Sequence, residues 1–395
     1  MSRYLLITAD AHAGLPLPEY REWVDPAHRQ AFDDRLEADL VFRHQEKDLF
    51  LDKDFEAGWK QGRVPDGIAG AWDSNVRTRQ LDEDGIAGEV IFPDGVTELN
   101  TPPFQAGFTL PVGEGIDPEL QWAGSRAHNR WVASFCAESP ERRAGLALAP
   151  ILYDIPTAVA EIRWARENGL RGIVIPAIFQ GYEPYHSKRY EPIWEVCADL
   201  GMVIHTHGGA APDYGDFGED GSLGIYMTEF AWWAWRPVWF LIWGGVFERH
   251  PSLKFTVTEL GAIWAPLIKS VMDHRFETNH VTAKITDYKG SLTMKPSEYF
   301  DRNVFIGSSF APRSDIEARH AIGIGNIMWG SDFPHPEGLW PKTGEFLRQS
   351  FHDVPEGERI QMLGGNALEV YGFEEAKLRP LADRIGPTAE DLALS

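Results

Sequence analysis

A (β/α)8 barrel of the α/β class, the TIM-barrel fold, is what this sequence predicts, and three observations predict it. Short apolar runs that end in polar or small residues recur along the chain with helical patterns between them, as in repeated βα units. Eight runs can be placed in this way. Metal-type ligands follow several of them: Asp10 and His12 near the start, His205 and His207 midway, Glu259 later, and Asp332 near the end. Residues so distant in sequence form one site only in a fold that gathers strand ends at one face. A barrel does so, because its active site is built from the loops at the C-terminal ends of its strands.

The eight strand candidates are Tyr4 to Thr8, Gly88 to Phe92, Ala144 to Ala149, Gly172 to Ile175, Met202 to Ile204, Lys254 to Thr258, Val304 to Ile306 and Ile327 to Trp329. Between the third and fourth, TAVAEIRWARENGL places Ala and Ile at helical spacing and closes on Asn168-Gly169, a helix stop. After the fourth, PIWEVCADLG repeats the pattern and closes on Gly201. Residues 14–70, rich in charge and aromatics, read as a helical insertion after the first strand, and Thr97 to Pro118 as a long loop after the second. Both follow strands, so both are expected over the active-site face, where they could form a lid. The barrel takes residues 1–375, and 376–395 form a tail with a helix and a loose end.

Composition narrows the function. The 395 residues are 43% hydrophobic, enough for a large core, and no low-complexity tract interrupts them. A formal charge of -22 argues against nucleic acid or an anionic membrane surface as partner, since both are negative. Cys136 and Cys197 stand alone, outside any CxxC pattern, which predicts neither a disulfide framework nor a thiolate zinc site and fits a reducing, cytoplasmic setting. The apolar run in MSRYLLITADAH is too short for a signal-peptide core. The stretch from Ile225 to Phe247 carries Glu229, Arg236 and Pro237 near its middle, which a lipid-facing helix would hardly tolerate; it reads as a buried helix or helix pair.

Asp10 and His12 are two apart after LLITA, so on an extended strand both can face the barrel axis and grip one cation. In MVIHTHGG, His205 and His207 repeat that spacing, and His205 is taken as the ligand because it comes first after the apolar run. Asp332 lies just past the eighth strand, where a carboxylate can bind a metal and take up a proton from bound water. His335 and Glu337 follow on the same loop, and His335 is a candidate general acid. Arg77, Arg79, Asp82 and Asp84 read as an exposed charge pattern with a structural salt bridge. Arg236 sits among Trp232, Trp233, Trp235 and Trp239 and needs a partner: a substrate carboxylate, Glu229 or another barrel residue. Arg236 and Trp232 are therefore the substrate-binding candidates, and the tryptophan cluster would also suit a homodimer interface.

The blocks ADAH, VIHTHGG, GVFERHPSLKFTVTELGAIW and GSDFPHPEG, which span nearly the whole chain, together resemble the amidohydrolase superfamily. Within it they are similar to the branch that contains aminocarboxymuconate-semialdehyde decarboxylase and related aromatic-acid decarboxylases and hydrolases. The resemblance implies ligands from strands one, five and eight, carried here by Asp10, His12, His205 and Asp332. It also implies a sixth-strand histidine beside the catalytic water, and here the chain departs, because Glu259 occupies that place. A glutamate cannot imitate an imidazolium donor at neutral pH unless its pKa is strongly raised. With His205 or His207 it could instead bind a second cation, or it could orient a histidine.

These readings lead to an expected metal-dependent hydrolase, in which zinc, iron or manganese, one ion or two, activates water against an ester, thioester, lactone or amide. Asp332, Glu259 and His335 are its candidate catalytic residues, and the substrate is a small apolar or aromatic molecule. The alternative is a metal-dependent non-oxidative decarboxylase of an aromatic or unsaturated acid. A barrel without catalysis that serves as a binding protein is the third reading.

Overall fold

The computed structural model describes residues 3–50, 68–93, 100–212, 220–259, 261–278, 289–335 and 337–394. Its sheet contains β1 (Leu6–Ala13), β2 (Ile86–Pro93), β3 (Arg143–Leu148), β4 (Gly172–Val174), β5 (Val203–His207), β6 (Phe255–Thr258), β7 (Val304–Ser309) and β8 (Ile327–Gly330). They lie in that order, each parallel to the next. Eight parallel strands in chain order form a nearly closed barrel, with helices between them.

All eight strand expectations are met, with two differences that bear on the site. β1 continues to Ala13, so Asp10 and His12 stand inside the strand rather than past its end. β5 likewise continues to His207. An apolar run marks where a strand begins, but polar side chains that meet one another inside a barrel let it go on past the first polar residue.

The seam between β8 and β1 closes at the C-terminal mouth through a few bonds. The Asp332 amide donates to the Asp10 carbonyl at 2.9 Å, and the His12 amide to the Phe333 carbonyl at 2.6 Å. The Ser331 amide donates to the Thr8 hydroxyl at 2.8 Å, and that hydroxyl donates to the Asp10 carbonyl at 2.7 Å. Such close approach needs a residue without a side chain at Gly330, where an added Cβ would lie 2.6 Å from that of Asp10.

Outside the sheet, helix Ile155–Glu167 starts where the Asp154 carboxylate accepts from the Thr157 amide at 3.0 Å. Helix Glu191–Leu200 stops at Gly201, which takes the left-handed conformation. The described part of the insertion forms turns at Leu17–Glu22 and Pro26–His28 and a helix over Arg29–Phe50; residues 51–67 of the expected insertion, and 97–99 of the expected loop, lie outside the described residues. The tail is not loose up to Ala393. Its helix Glu375–Ile385 leads into a strap whose Pro387 carbonyl accepts from the Tyr4 amide at 2.8 Å, and Leu392 is fully buried.

The stretch from Ile225 to Phe247 differs from expectation. It falls into helices Ser222–Trp235, Pro237–Trp243 and Val246–Arg249, the first break lying at Pro237, whose ring cannot continue a helix. The first helix is mostly uncovered: only Ser222 and Ala234 are buried, and Ile225 and Met227 are about half exposed. Among the described residues no helix is long and apolar enough to cross a membrane.

Gly330→Ala is expected to destabilise the fold by about 1–3 kcal/mol through overpacking at the seam. At Gly325 an added Cβ meets nothing within 4 Å, so Gly325→Ala should be neutral or slightly stabilising. Thermal denaturation of the two variants checks the contrast, and equal melting temperatures would refute the seam argument.

Candidate metal centre

The barrel mouth gathers four residues from three strands. Asp10 and His12 on β1, His207 on β5 and Asp332 after β8 are almost wholly inaccessible. His12 Nε2 lies 3.4 Å from Asp10 Oδ1 and 3.3 Å from Asp332 Oδ1, and His207 Nε2 lies 3.3 Å from Asp10 Oδ1. Ligand atoms about 2.0–2.1 Å from one tetrahedral cation stand about 3.3–3.4 Å from each other, so the separations that join Asp10, His12 and His207 suit a shared ion, and Asp332 meets that group through His12.

The hydrogen-bond pattern agrees. Both ring nitrogens of His12 and both carboxylate oxygens of Asp332 are buried without a hydrogen-bond partner among the described residues. These atoms stand within ion-pair distance of one another without good hydrogen-bond geometry, and a divalent cation would suit such a set of donors. The donors fit a divalent metal. Ser309 completes the Asp10 environment by donating its hydroxyl to Oδ2.

Around these four stand two more acid–base groups. Glu259 Oε2 lies 3.1 Å from His207 Nδ1, which leaves His207 Nε2 facing Asp10. A carboxylate behind an imidazole whose other nitrogen faces the metal position fixes ring orientation and tautomer. His335 Nδ1 lies 2.9 Å from Asp332 Oδ1, and its ring stacks on His12 at 3.9 Å between centroids. Asp332 and Glu259 both take positive φ, 57° and 65°, a conformation that non-glycine residues adopt at a cost and that recurs at active sites. There it turns both carboxylates into the cluster.

Electrostatics follow from burial and pairing. Burial alone would raise the Asp10 carboxyl, yet the imidazoles of His12 and His207 hold it well below the usual carboxylate range. Burial would depress His207, but Glu259 and Asp10 lift it to about 10. Burial acts the same way on His335, where Asp332 outweighs it and raises the imidazole. Glu259 stays raised by burial in spite of His207. The imidazoles of His207 and His335 are thus raised by the carboxylates they face.

The structure corrects the choice of His205. β5 runs toward the mouth, so the second histidine reaches the cluster, and the first lies one layer below. His205 Nε2 meets the Tyr371 hydroxyl at 3.0 Å, its Nδ1 meets the Ile173 carbonyl at 3.0 Å, and its ring stacks on Tyr371. Burial pushes it down to about 3, so it is a neutral interior residue. Strand direction was the signal available in the sequence.

Arg236 and Trp232 make no hydrogen bond, ion pair or ring contact with the cluster among the described residues. The Arg236 guanidinium lies over Phe179, Trp233 and Phe240 rather than against Glu229, and Trp232, 41% exposed, packs on Trp233 and Trp239. The charge pattern from Arg77 to Asp84 is not simply exposed either. Arg77 is fully buried against Glu89, and Asp84 is buried enough for its carboxyl to rise to about 7. Two aromatics escaped the sequence reading. Phe92 is the last residue but one of β2, and Phe108 reaches in from the loop after it; their ring centroids each lie 4.6 Å from that of His207. Phe108 also meets His12 edge-on at 5.6 Å, which puts this loop over the centre.

Residues 101–373 match the model of the amidohydrolase family. The chain is 24% identical over 315 residues to 2-amino-3-carboxymuconate-6-semialdehyde decarboxylase of Dictyostelium discoideum, covering 78% of each. It is 26% identical over 323 residues to the gamma-resorcylate decarboxylase of Rhodococcus jostii, covering 76% of this chain and 88% of that one. A 5-carboxyvanillate decarboxylase from Novosphingobium aromaticivorans, complexed with manganese and 4-hydroxy-3-methoxy-5-nitrobenzoic acid, superposes with a TM-score of 0.65 at 18% identity, over 93% of this chain and 96% of that one. These relatives overturn the expectation of hydrolysis at an ester, thioester, lactone or amide, since they are decarboxylases. The inference from Glu259 failed for a physical reason: its carboxylate is turned onto the His207 ring, an orienting role that does not require a second metal.

His207→Ala is expected to weaken Mn2+ binding by at least about 10- to 100-fold, whereas His205→Ala should leave it within a few-fold of wild type. Binding must also displace a proton from the raised imidazole of His207, so affinity should rise with pH. Calorimetry in two buffers of different ionisation enthalpy reads that release directly; the absence of released protons would contradict the charge assignment.

Proposed function

Because the chain belongs to the amidohydrolase family, which it matches over residues 101–373, we propose that it is a metal-dependent, non-oxidative decarboxylase of a small aromatic or unsaturated carboxylic acid. The observation that carries this reading is the pairing of Glu259 with His207 at 3.1 Å. It accounts for the residue that departs from the superfamily pattern and leaves one centre of histidines and aspartates. The decarboxylase relatives support the reaction class.

Asp10, His12, His207 and Asp332 would hold the ion. A divalent metal there would supply positive charge for binding the substrate carboxylate. Manganese is favoured, because oxygen and imidazole donors suit it and a structural neighbour was crystallised with it. Phe92 and Phe108 pack against the imidazoles and make that side of the centre apolar, which would limit water there.

The buried Asp332–His335 pair, 2.9 Å apart, holds the proton. That proton passes to the carbon bearing the carboxylate. The bond to CO2 then breaks, its electron pair returns to the ring or alkene, and CO2 leaves without consumption of water. Glu259 keeps His207 oriented throughout.

Gamma-resorcylate, 5-carboxyvanillate and 2-amino-3-carboxymuconate-6-semialdehyde are the acids to test with the manganese-loaded protein. Turnover should release one CO2 per substrate and, in D2O, leave one deuterium at the vacated carbon. Asp332→Asn should lower kcat by about 100-fold or more with the fold intact by circular dichroism. Products formed by uptake of water with no CO2, or a fully active Asp332→Asn protein, would sink the proposal.

A further inference from the structure

Arg77 is joined to three parts of the molecule that meet at the centre. Its Nε and Nη2 engage both oxygens of Glu89 on β2 at 2.6–2.9 Å. Nη1 donates at 2.9 Å to the carbonyl of His12 and at 2.9 Å to that of Gly70, where the insertion returns to the barrel. The flat guanidinium lies 4.9 Å from the centroid of Phe333, the residue after Asp332, and 5.8 Å from that of Phe135. Phe333 in turn accepts from the His12 amide through its carbonyl. Arg77 is 0% exposed and Glu89 1%.

A guanidinium suits this position for a chemical reason. It presents its donors in one plane in fixed directions and offers two flat faces, so it can bind a carboxylate, two carbonyls and an aromatic ring at once. An ammonium is a point charge on a flexible stem and cannot reproduce that set. Arg143 Nε, 3.4 Å from Glu89 Oε1, keeps the carboxylate paired on its other side, while its own Nη1 donates to Ser74 and to the Phe135 carbonyl.

We propose that Arg77 is a positioning residue for the metal centre: it holds the His12 backbone against Phe333 across the β8–β1 seam, so that the His12 imidazole and the Asp332 carboxylate face one ion, and it ties the insertion to that geometry. Arg77 touches neither substrate nor metal and acts through His12 and Phe333. The inference rests on the metal reading above.

Arg77→Lys keeps a positive charge beside Glu89 and removes the planar fork. Mn2+ affinity, measured from the electron paramagnetic resonance signal of free Mn2+ and read beside the melting temperature, should fall by about 10- to 100-fold, the usual loss when a residue that orients a ligand is changed. Arg130→Lys is the control, because Arg130 pairs with Glu161 at 2.6 Å between two outer helices. It should lower the melting temperature and leave Mn2+ affinity unchanged. Wild-type affinity in Arg77→Lys would overturn the inference. Should Arg77→Lys fail to fold, Phe333→Leu removes the stacked ring alone: Mn2+ binding weakened several-fold supports the inference, and unchanged binding overturns it. Wild-type protein that binds no Mn2+ would overturn the metal reading and this inference with it, whereas equal binding by wild-type and Arg77→Lys proteins overturns the inference alone.

Discussion

Three acidic side chains, Asp10, Glu259 and Asp332, share one barrel mouth with the imidazoles of His12, His207 and His335, and the cost of holding that charge away from water constrains everything around it. Carboxylates only a few ångströms apart repel one another, and each would be expensive to bury unpaired. Alternating them with imidazoles lets protons, or a divalent cation in their place, neutralise the set. The close separations, the unbonded buried nitrogens of His12 and the low Asp10 pKa express one condition.

The backbone serves that condition. Asp332 and Glu259 accept left-handed conformations, and Gly330 gives up a side chain so that Asp10 can approach β8. The barrel closes through the same residues, with the Asp332 amide on the Asp10 carbonyl and the His12 amide on the Phe333 carbonyl. Closure of the barrel and placement of the cluster therefore depend on the same residues, and the buried Arg77–Glu89 pair lies directly behind them. A paired charge in the interior is weak as a source of stability, but the direction its hydrogen bonds impose is specific.

Much of this was legible in the chain. Alternation of apolar runs and helical patterns marked all eight strands, because burial in a parallel sheet demands such runs. The two-residue spacing of Asp10 and His12 put them on one face, since strand side chains alternate. The His205–His207 pair showed the limit of that reasoning, because both face inward and only depth along β5 separates a ring that faces the cluster from one bonded to Tyr371. The structural salt bridge expected around Arg77 is present, but its burial was not legible, because a charge in a helical pattern looks solvated until its partner is known, and Glu89 lies on a neighbouring element. Phe108 gave no signal, since a loop aromatic has no period to reveal which face it covers.

By itself the sequence determined the fold class, the strands and the kind of donor available at the mouth, because hydrophobic periodicity and ligand chemistry are local properties. Only the tertiary structure decided which histidine of β5 faces the cluster, that Glu259 is directed at an imidazole, and that Arg77 spans β1, β2 and the Phe333 ring. Those outcomes depend on how strands of different length come into register around a closed barrel. Register sets the depth and direction of each side chain, and no pattern within a single segment contains it.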